Sequence, residues 1–241
     1  MLQRLLLSGV LSGLIVGAFV TLIHLAMVTP IILEAETYET KSEAPAAAHV
    51  HGAGTAAHSH DTEAWAPEDG WERSLYTLAA DLIMGVGFAL LLASGFTLSG
   101  QDISARAGVL WGAAGYLAFS FLPALGLPPE LPGAAAADLA ARQIWWFGAA
   151  VASVGGLGLI AFGKRWMQGA GLVLLILPHI IGAPHAPAGE AGSVPPELAA
   201  HFVVMTMFMN AAMWIALGWM TAYFFQRFAG STRGRIVDIN A

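Results

Sequence analysis

Apolar residues gather into six runs separated by short polar stretches: Leu5–Val28, Leu75–Leu98, Ala107–Leu127, Gln143–Gly163, Gln168–Ala183 and Ala199–Phe225. A helix needs about 20 apolar residues to cross the hydrocarbon core of a bilayer, and five of the runs meet that length. The fifth, Gln168–Ala183, reaches only about 24 Å as a helix against a core of about 30 Å. It therefore crosses by leaning on its neighbours or by thinning the bilayer, or it re-enters without crossing, which leaves five spans as the runner-up count. The first run follows Gln3 and Arg4, as a signal peptide's core would. It is longer than the roughly 7–15 residues of such a core and no Ala-x-Ala cleavage site follows it, so a retained span is expected.

Composition supports lipid as the solvent. Of 241 residues, 57% are apolar and 11% charged, whereas soluble domains carry about 25% charged residues. The chain has no cysteine. Disulfides, thiolate metal sites and cysteine nucleophiles are thereby excluded, and any metal falls to His, carboxylate, Asn, Met or backbone oxygen.

The placement of charge chooses between the counts. Six spans put Arg4, Arg106, Lys164, Arg165, Arg227, Arg233 and Arg235 on one side and only Lys41, Arg73 and Arg142 on the other. The richer side is cytoplasmic by the positive-inside rule. Lys164 and Arg165 fit only if the fifth run crosses. The expected fold is an all-α, polytopic transmembrane helical bundle of six spans with both termini inside. Residues 1–28 form the first span, 29–74 an outward acidic loop expected to be flexible, 75–225 a five-span bundle, and 226–241 a basic cytoplasmic tail.

Small residues predict close helix packing. Gly9, Gly13 and Gly17 recur at every fourth position; Gly108, Gly112 and Gly115 mark the third span, and Gly155, Gly156 and Gly158 the fourth. Such grooves let backbones approach, in a fixed bundle or at a moving interface. Leu122-Pro123-Ala124-Leu125-Gly126-Leu127-Pro128 and Leu177-Pro178-His179-Ile180-Ile181-Gly182-Ala183-Pro184 end the third and fifth spans as a weak internal repeat. Proline-interrupted spans in corresponding positions are where transporters place sites, because broken helices free carbonyls. Chance likeness in Ala/Leu/Pro-rich sequence is the competing reading.

The outward loop, 29–74, is acidic and carries His49, His51, His58 and His60 in a stretch with no core-forming pattern. Imidazoles among carboxylates suit a borderline divalent cation such as Co²⁺, Ni²⁺, Zn²⁺ or Cu²⁺. His24, His179, His185 and His201 fall at the outer ends of spans, and Asp81 lies inside the second. An ionisable residue within a span is costly to bury and so is a functional candidate. Together these predict a polar vestibule beneath the loop, with Asp81 giving charge and the histidines nitrogen. Its expected consequence is that Asp81→Ala and His179→Ala impair transport more than loss of the loop. Met205, Met209 and Met213, with Asn210 beside them, form a stripe on the sixth span that serves either as an inward relay or as packing. No phosphate-binding Gly-rich loop or Ser/His/Asp arrangement is present, so neither an ATPase nor another enzyme is expected. A divalent ion gains about 4.6 kcal/mol from a 100 mV inward-negative potential.

The chain resembles the CbtA-type cobalt transporter subunit family of bacteria. The resemblance rests on the first span followed by Thr29-Pro30-Ile31-Ile32-Leu33-Glu34-Ala35-Glu36-Thr37-Tyr38-Glu39, the histidine-rich loop, Trp65-Ala66-Pro67-Glu68-Asp69-Gly70-Trp71-Glu72-Arg73 and Leu177–Pro184. It implies uptake of Co²⁺ across the cytoplasmic (inner) membrane, with no permanently bound cofactor, and a small single-span partner subunit bearing histidines. The family is usually described with five spans, and the short fifth run accounts for the difference. Ni²⁺ or Zn²⁺ would suit the same side chains. Partners are then membrane lipid and that subunit, not nucleic acid. Two other functions stay open: a membrane electron carrier with paired histidines such as His24 and His179 or His201 as axial haem ligands, and a sensing or assembly subunit that does not transport.

Overall fold

The computed structural model describes residues 1–42, 67–189 and 192–237, and among the described residues there is helix and connecting chain but no strand. The elements are α1 (Leu2–Ile23), a π turn (His24–Val28), α2 (Thr29–Ser42), α3 (Trp71–Ser99), α4 (Ala105–Tyr116), a second π turn (Leu117–Phe121), α5 (Leu122–Ala124), α6 (Leu139–Phe162), α7 (Arg165–Ile181) and α8 (Pro196–Val237). Each π turn joins its flanking helices into one rod. Five stretches are long and apolar enough to cross a membrane: Leu2–Glu39, Trp71–Ser99, Ala105–Ala124, Leu139–Phe162 and Pro196–Ala229, with Arg165–Ile181 a shorter apolar helix. Their outward faces are apolar, with Ile83, Leu110, Ile144 and Ile180 between 71% and 75% exposed. This is the surface of a helical membrane bundle.

The first helix does not stop at Val28, the expected end of the first span, but continues past Pro30 to Ser42. A proline inside a helix lacks an N–H and collides with the carbonyl four residues back. The π turn widens the backbone just before that point: Thr29 N–H donates to His24 O, five residues back. The third rod repeats the device, with Leu122 N–H donating to Leu117 O ahead of Pro123. In both rods the proline stands two residues past the end of the π turn. Pro178 has no such turn, and α7 ends soon after it at Gly182, where φ is +90°. The two sequence repeats thus differ in backbone, although they lie side by side: a Cβ on Gly126 would meet Ala183 at 3.2 Å.

Of the expected loop 29–74, residues 29–42 extend the first helix and 71–74 open α3. Residues 43–66 lie outside the described residues, and His49, His51, His58 and His60 with them. The α2 extension is tied to α3 by Arg73, which donates to both Glu36 carboxylate oxygens at 2.8 and 3.2 Å and also pairs with Asp69 at 2.9 Å.

Glycines set the helix contacts. On α1, Gly9 lies against Leu90, Gly13 against the Val86 backbone and Gly17 against Asp81 and Leu82, so α1 and α3 run antiparallel in close contact. On α4, Gly108 meets Gly218 and Ala222 of α8, Gly112 meets Trp214 O, and Gly115 lies under the Trp214 ring. On α6 only Gly156 serves this way, against Gly171 O and Leu175 of α7; Gly158 faces open space. Arg4 at the start of α1 stacks 3.6 Å over the Phe225 ring and donates to Phe225 O, which puts the start of α1 beside the end of α8. A core of Val16, Val20, Ala89, Phe96, Trp214 and Leu217 fills the space among α1, α3 and α8.

The α6–α7 hairpin is attached differently. Besides Gly156, the buried residues of α6 are Ala149, Ala150 and Ser153, in the middle of the helix, and α6 packs on the second π turn and α5. At the end away from the termini, Ser193 N–H donates to Gly133 O at 2.9 Å, joining the connector before α6 to the one after α7. Arg142 pairs there with Glu130 at 2.6 Å.

Candidate metal-handling site

The structure brings together two of the expected site residues. His24 is the first residue of the first π turn, and Asp81 faces it from α3. His24 Nδ1 stands 3.4 Å from Asp81 Oδ2 and makes no hydrogen bond, although it is buried. Thr21, one turn before His24, donates through its hydroxyl to the same Asp81 Oδ2 at 3.0 Å and to Gly17 O at 3.0 Å. Gly17 makes this possible: a Cβ there would stand 2.7 Å from Asp81 O, pushing α3 away. The side chains of His24 and Asp81 are only 25% and 15% exposed. Within a membrane-length helix such a carboxylate is expensive unless a polar or charged group compensates it. Here one hydroxyl does so, and an imidazole nitrogen stands ready beside the same oxygen.

The other outer histidines do not complete this pair. Among the described residues no group of three or more His, Asp or Glu is placed to hold a metal ion. The His179 ring lies edge-on to Trp145 at 5.8 Å, because α7 packs along α6 and is held away from the α1–α3 seam. His185 follows α7 in the connector, and both it and His201, near the start of α8, are exposed. The expected single vestibule is thus a His24–Asp81 pair with separate peripheral histidines. The methionine stripe faces the core: Met209 and Met213 are buried there and Met205 packs against it, as gap-fillers do.

Asn210 faces a different feature. A cleft of about 570 Å³ runs between the second π turn, α5 and the connector after it, the first half of α6, and α8. Ser120, Arg142, Gln143 and Asn210 contribute its polar atoms, and Phe119, Trp146, Phe147 and Met207 its apolar wall. Apart from Asn210, these residues were not legible as a group in the sequence. Thr21 was also missed, though its place one turn from His24, four residues after Gly17, is a signal that helix periodicity can supply.

No curated protein and no solved structure matches the chain. A family model does, over residues 2–226, and its description reads "Probable cobalt transporter subunit (CbtA)". The match takes in the His24–Asp81 pair, the Asn210 cleft and all but the last three residues of the membrane-length helices, and the chain belongs to the CbtA family of cobalt transporter subunits.

Proposed function

We propose that this chain is the membrane permease subunit of a divalent transition-metal uptake system, with Co²⁺ as its cargo. The observation that carries the reading is Asp81, a carboxylate kept inside a membrane-length helix and faced by His24, in a chain of a cobalt transporter subunit family. The pair supplies negative charge and a nitrogen donor where a cation leaves bulk water, and replacement of lost hydration is what a divalent ion needs there. The segment with His49, His51, His58 and His60 gathers the ion first, on the outer face. The described residues offer no nucleotide-binding element, and the membrane potential supplies about 4.6 kcal/mol per divalent ion at 100 mV.

The topology that goes with this reading has six crossings in the bacterial inner membrane, with both termini inside. Two contacts support it. Ser193 touches Gly133, so α6 and α7 together leave one end of the bundle and return to it. Arg4 touches Phe225, so the first and last rods begin and end together. Lys164, Arg165 and Arg106 lie at the same end as Arg4, as the positive-inside rule requires. The family's description as a subunit supports a partner; a small single-span chain bearing histidines is the partner proposed.

The test is uptake of radiolabelled cobalt into a bacterial host without its own cobalt transporters, with this chain alone and with the partner. Uptake above the empty vector, competed better by Co²⁺ than by Ni²⁺, is the expected result. No uptake in either arm, with the protein present in the membrane, overturns the reading in favour of a sensing subunit.

A further inference from the structure

A second cleft lies between the latter half of α6 and the parts of α3 and α4 opposite it. Its volume is about 500 Å³, and no charged side chain lines it. Ser94 supplies a hydroxyl there, which already donates to Leu90 O of its own helix. Leu98, Leu110 and Phe162 are 86%, 71% and 56% exposed, so the cleft is open sideways to the bilayer. Trp111 lines it and lies against Gly95, where a Cβ would stand 2.7 Å from the indole; it meets Phe162 with ring centroids 5.9 Å apart. Gly158 also lines the cleft, and a Cβ there would meet nothing within 4 Å.

The depth of this cleft matches one leaflet. It starts with Leu98 beside the end of α3, Leu110 near the start of α4 and Phe162 at the end of α6, and it reaches Phe119 and Val154. From Val154 to Phe162 is about 12 Å along α6, and from Leu110 to Phe119 about 14 Å along the α4 rod. The hydrocarbon core is about 30 Å thick. Beyond that depth α6 packs on the second π turn, with Ala149 and Ala150 buried, and the cleft is shut. A spanning helix of another chain, about 20 residues long, would find a groove for less than half its length. An acyl tail, which ends at mid-membrane, fits the whole of it.

Cations stand at its open end. Arg106 is one turn before Leu110, on the same face of α4, and Lys164 and Arg165 follow Phe162 in the turn to α7. All three are exposed, and none is in an ion pair among the described residues. Trp166, 73% exposed, follows them, as indoles do where a membrane meets water. Lipid tails are as apolar as leucine, so an apolar groove by itself prefers no lipid over another. The charge at its mouth makes the choice. We propose that the cleft holds one acyl chain of an anionic phospholipid from the leaflet on the side of Arg4, with the phosphate of its headgroup on Arg106 and Lys164. Both side chains are donors without acceptor capacity, which suits phosphate oxygens. The lipid fills the gap that α3 and α4 leave against α6, and so supports the α6–α7 hairpin where protein does not. The inference rests on the bundle lying in a membrane and not on the permease reading.

The test is native mass spectrometry of the full chain, purified in detergent and stripped of lipid, with phosphatidylglycerol or phosphatidylethanolamine added back. One phosphatidylglycerol is expected to bind about tenfold or more tightly than phosphatidylethanolamine. Arg106→Gln and Lys164→Gln are each expected to weaken it about fivefold, the effect of one interfacial cation. Gly158→Leu fills the cleft from a position with no neighbour in contact, and is expected to weaken binding about tenfold or more. Gly148→Leu has equally open space around it but lies outside both clefts, and is expected to leave affinity unchanged. Equal affinity for the two lipids, full affinity in Gly158→Leu, or equal losses in the two leucine variants overturns the proposal. If Gly158→Leu does not fold, the cation variants decide: unchanged phosphatidylglycerol affinity in both overturns it. A dimer, or a complex with a co-expressed single-span subunit, that Gly158→Leu abolishes while lipid binding persists gives the cleft to a protein and overturns the lipid site. Cobalt uptake is not a readout here, so failure of the permease reading leaves this result intact.

Discussion

Thr21 and Asp81 meet across the α1–α3 seam, with the hydroxyl 3.0 Å from the carboxylate oxygen that also faces His24. The contact exists because Gly17 lets the two backbones close, and Thr21 shares its hydroxyl with Gly17 O. One small residue, one hydroxyl and one carboxylate thus form a unit spread over two helices.

Asp81→Ala is expected to lower cobalt uptake by ten- to a hundredfold, since a hydrogen bond to a charged group is worth about 1.5–3 kcal/mol. Thr21→Val should cause a smaller loss, because the carboxylate stays. Near-normal initial uptake rates in Asp81→Ala, with equal protein in the membrane, would remove the pair from the mechanism.

Gly13→Ala puts a Cβ onto the Val86 backbone, where neither helix can yield locally. Overpacking of this kind destabilises by about 1–3 kcal/mol. Gly87→Ala on the neighbouring helix meets nothing within 4 Å and should be neutral or stabilising through helix propensity. Thermal unfolding of the two variants in detergent separates them; equal midpoints would mean that the glycine seam is not tight in solution.

Arg73→Ala removes the two hydrogen bonds that join the start of α3 to Glu36 of α2. Hydrogen exchange over Thr29–Ser42 should accelerate while α4 and α6 keep their protection. Unchanged exchange in α2 would show that its packing on the bundle suffices without the ion pair.

The connectors that carry Ala136 and Ala188 should lie on one face of the membrane, as the Ser193–Gly133 contact implies. Ala136→Cys and Ala188→Cys, labelled from each side in turn, test it. Reaction from opposite sides would mean that α7 does not return across the bilayer.

Much of this architecture was legible in the chain. The apolar runs located every rod, and the four-residue glycine spacing on α1 and α4 identified the faces that later proved to be contact seams. The end of the first helix was not legible, because proline at residue 30 reads as a stop and only the backbone shows that a π turn lets the rod continue. His24 and Asp81 were both singled out as ionisable groups near or within spans, but their pairing depends on the register of α1 against α3, which the glycines fix in three dimensions. His179 was expected in the same group; it turns instead to Trp145, since α7 is reached only through α6. The clefts were invisible for a related reason. They are gaps between helices, and a sequence pattern reports what a face is made of but not what stands opposite.

The contact between Arg4 and Phe225 has a consequence for how the chain is made. These residues are 221 positions apart, yet α1 packs on α8 as well as on α3. During synthesis α1 can find α3 early, but its face toward α8 stays uncovered until the last rod emerges. The α6–α7 hairpin is complete before that moment and pairs mainly with itself. The bundle therefore closes last between its oldest and newest helices. A chain truncated before α8 is left with the Arg4 side of α1 open to lipid or to a neighbouring chain.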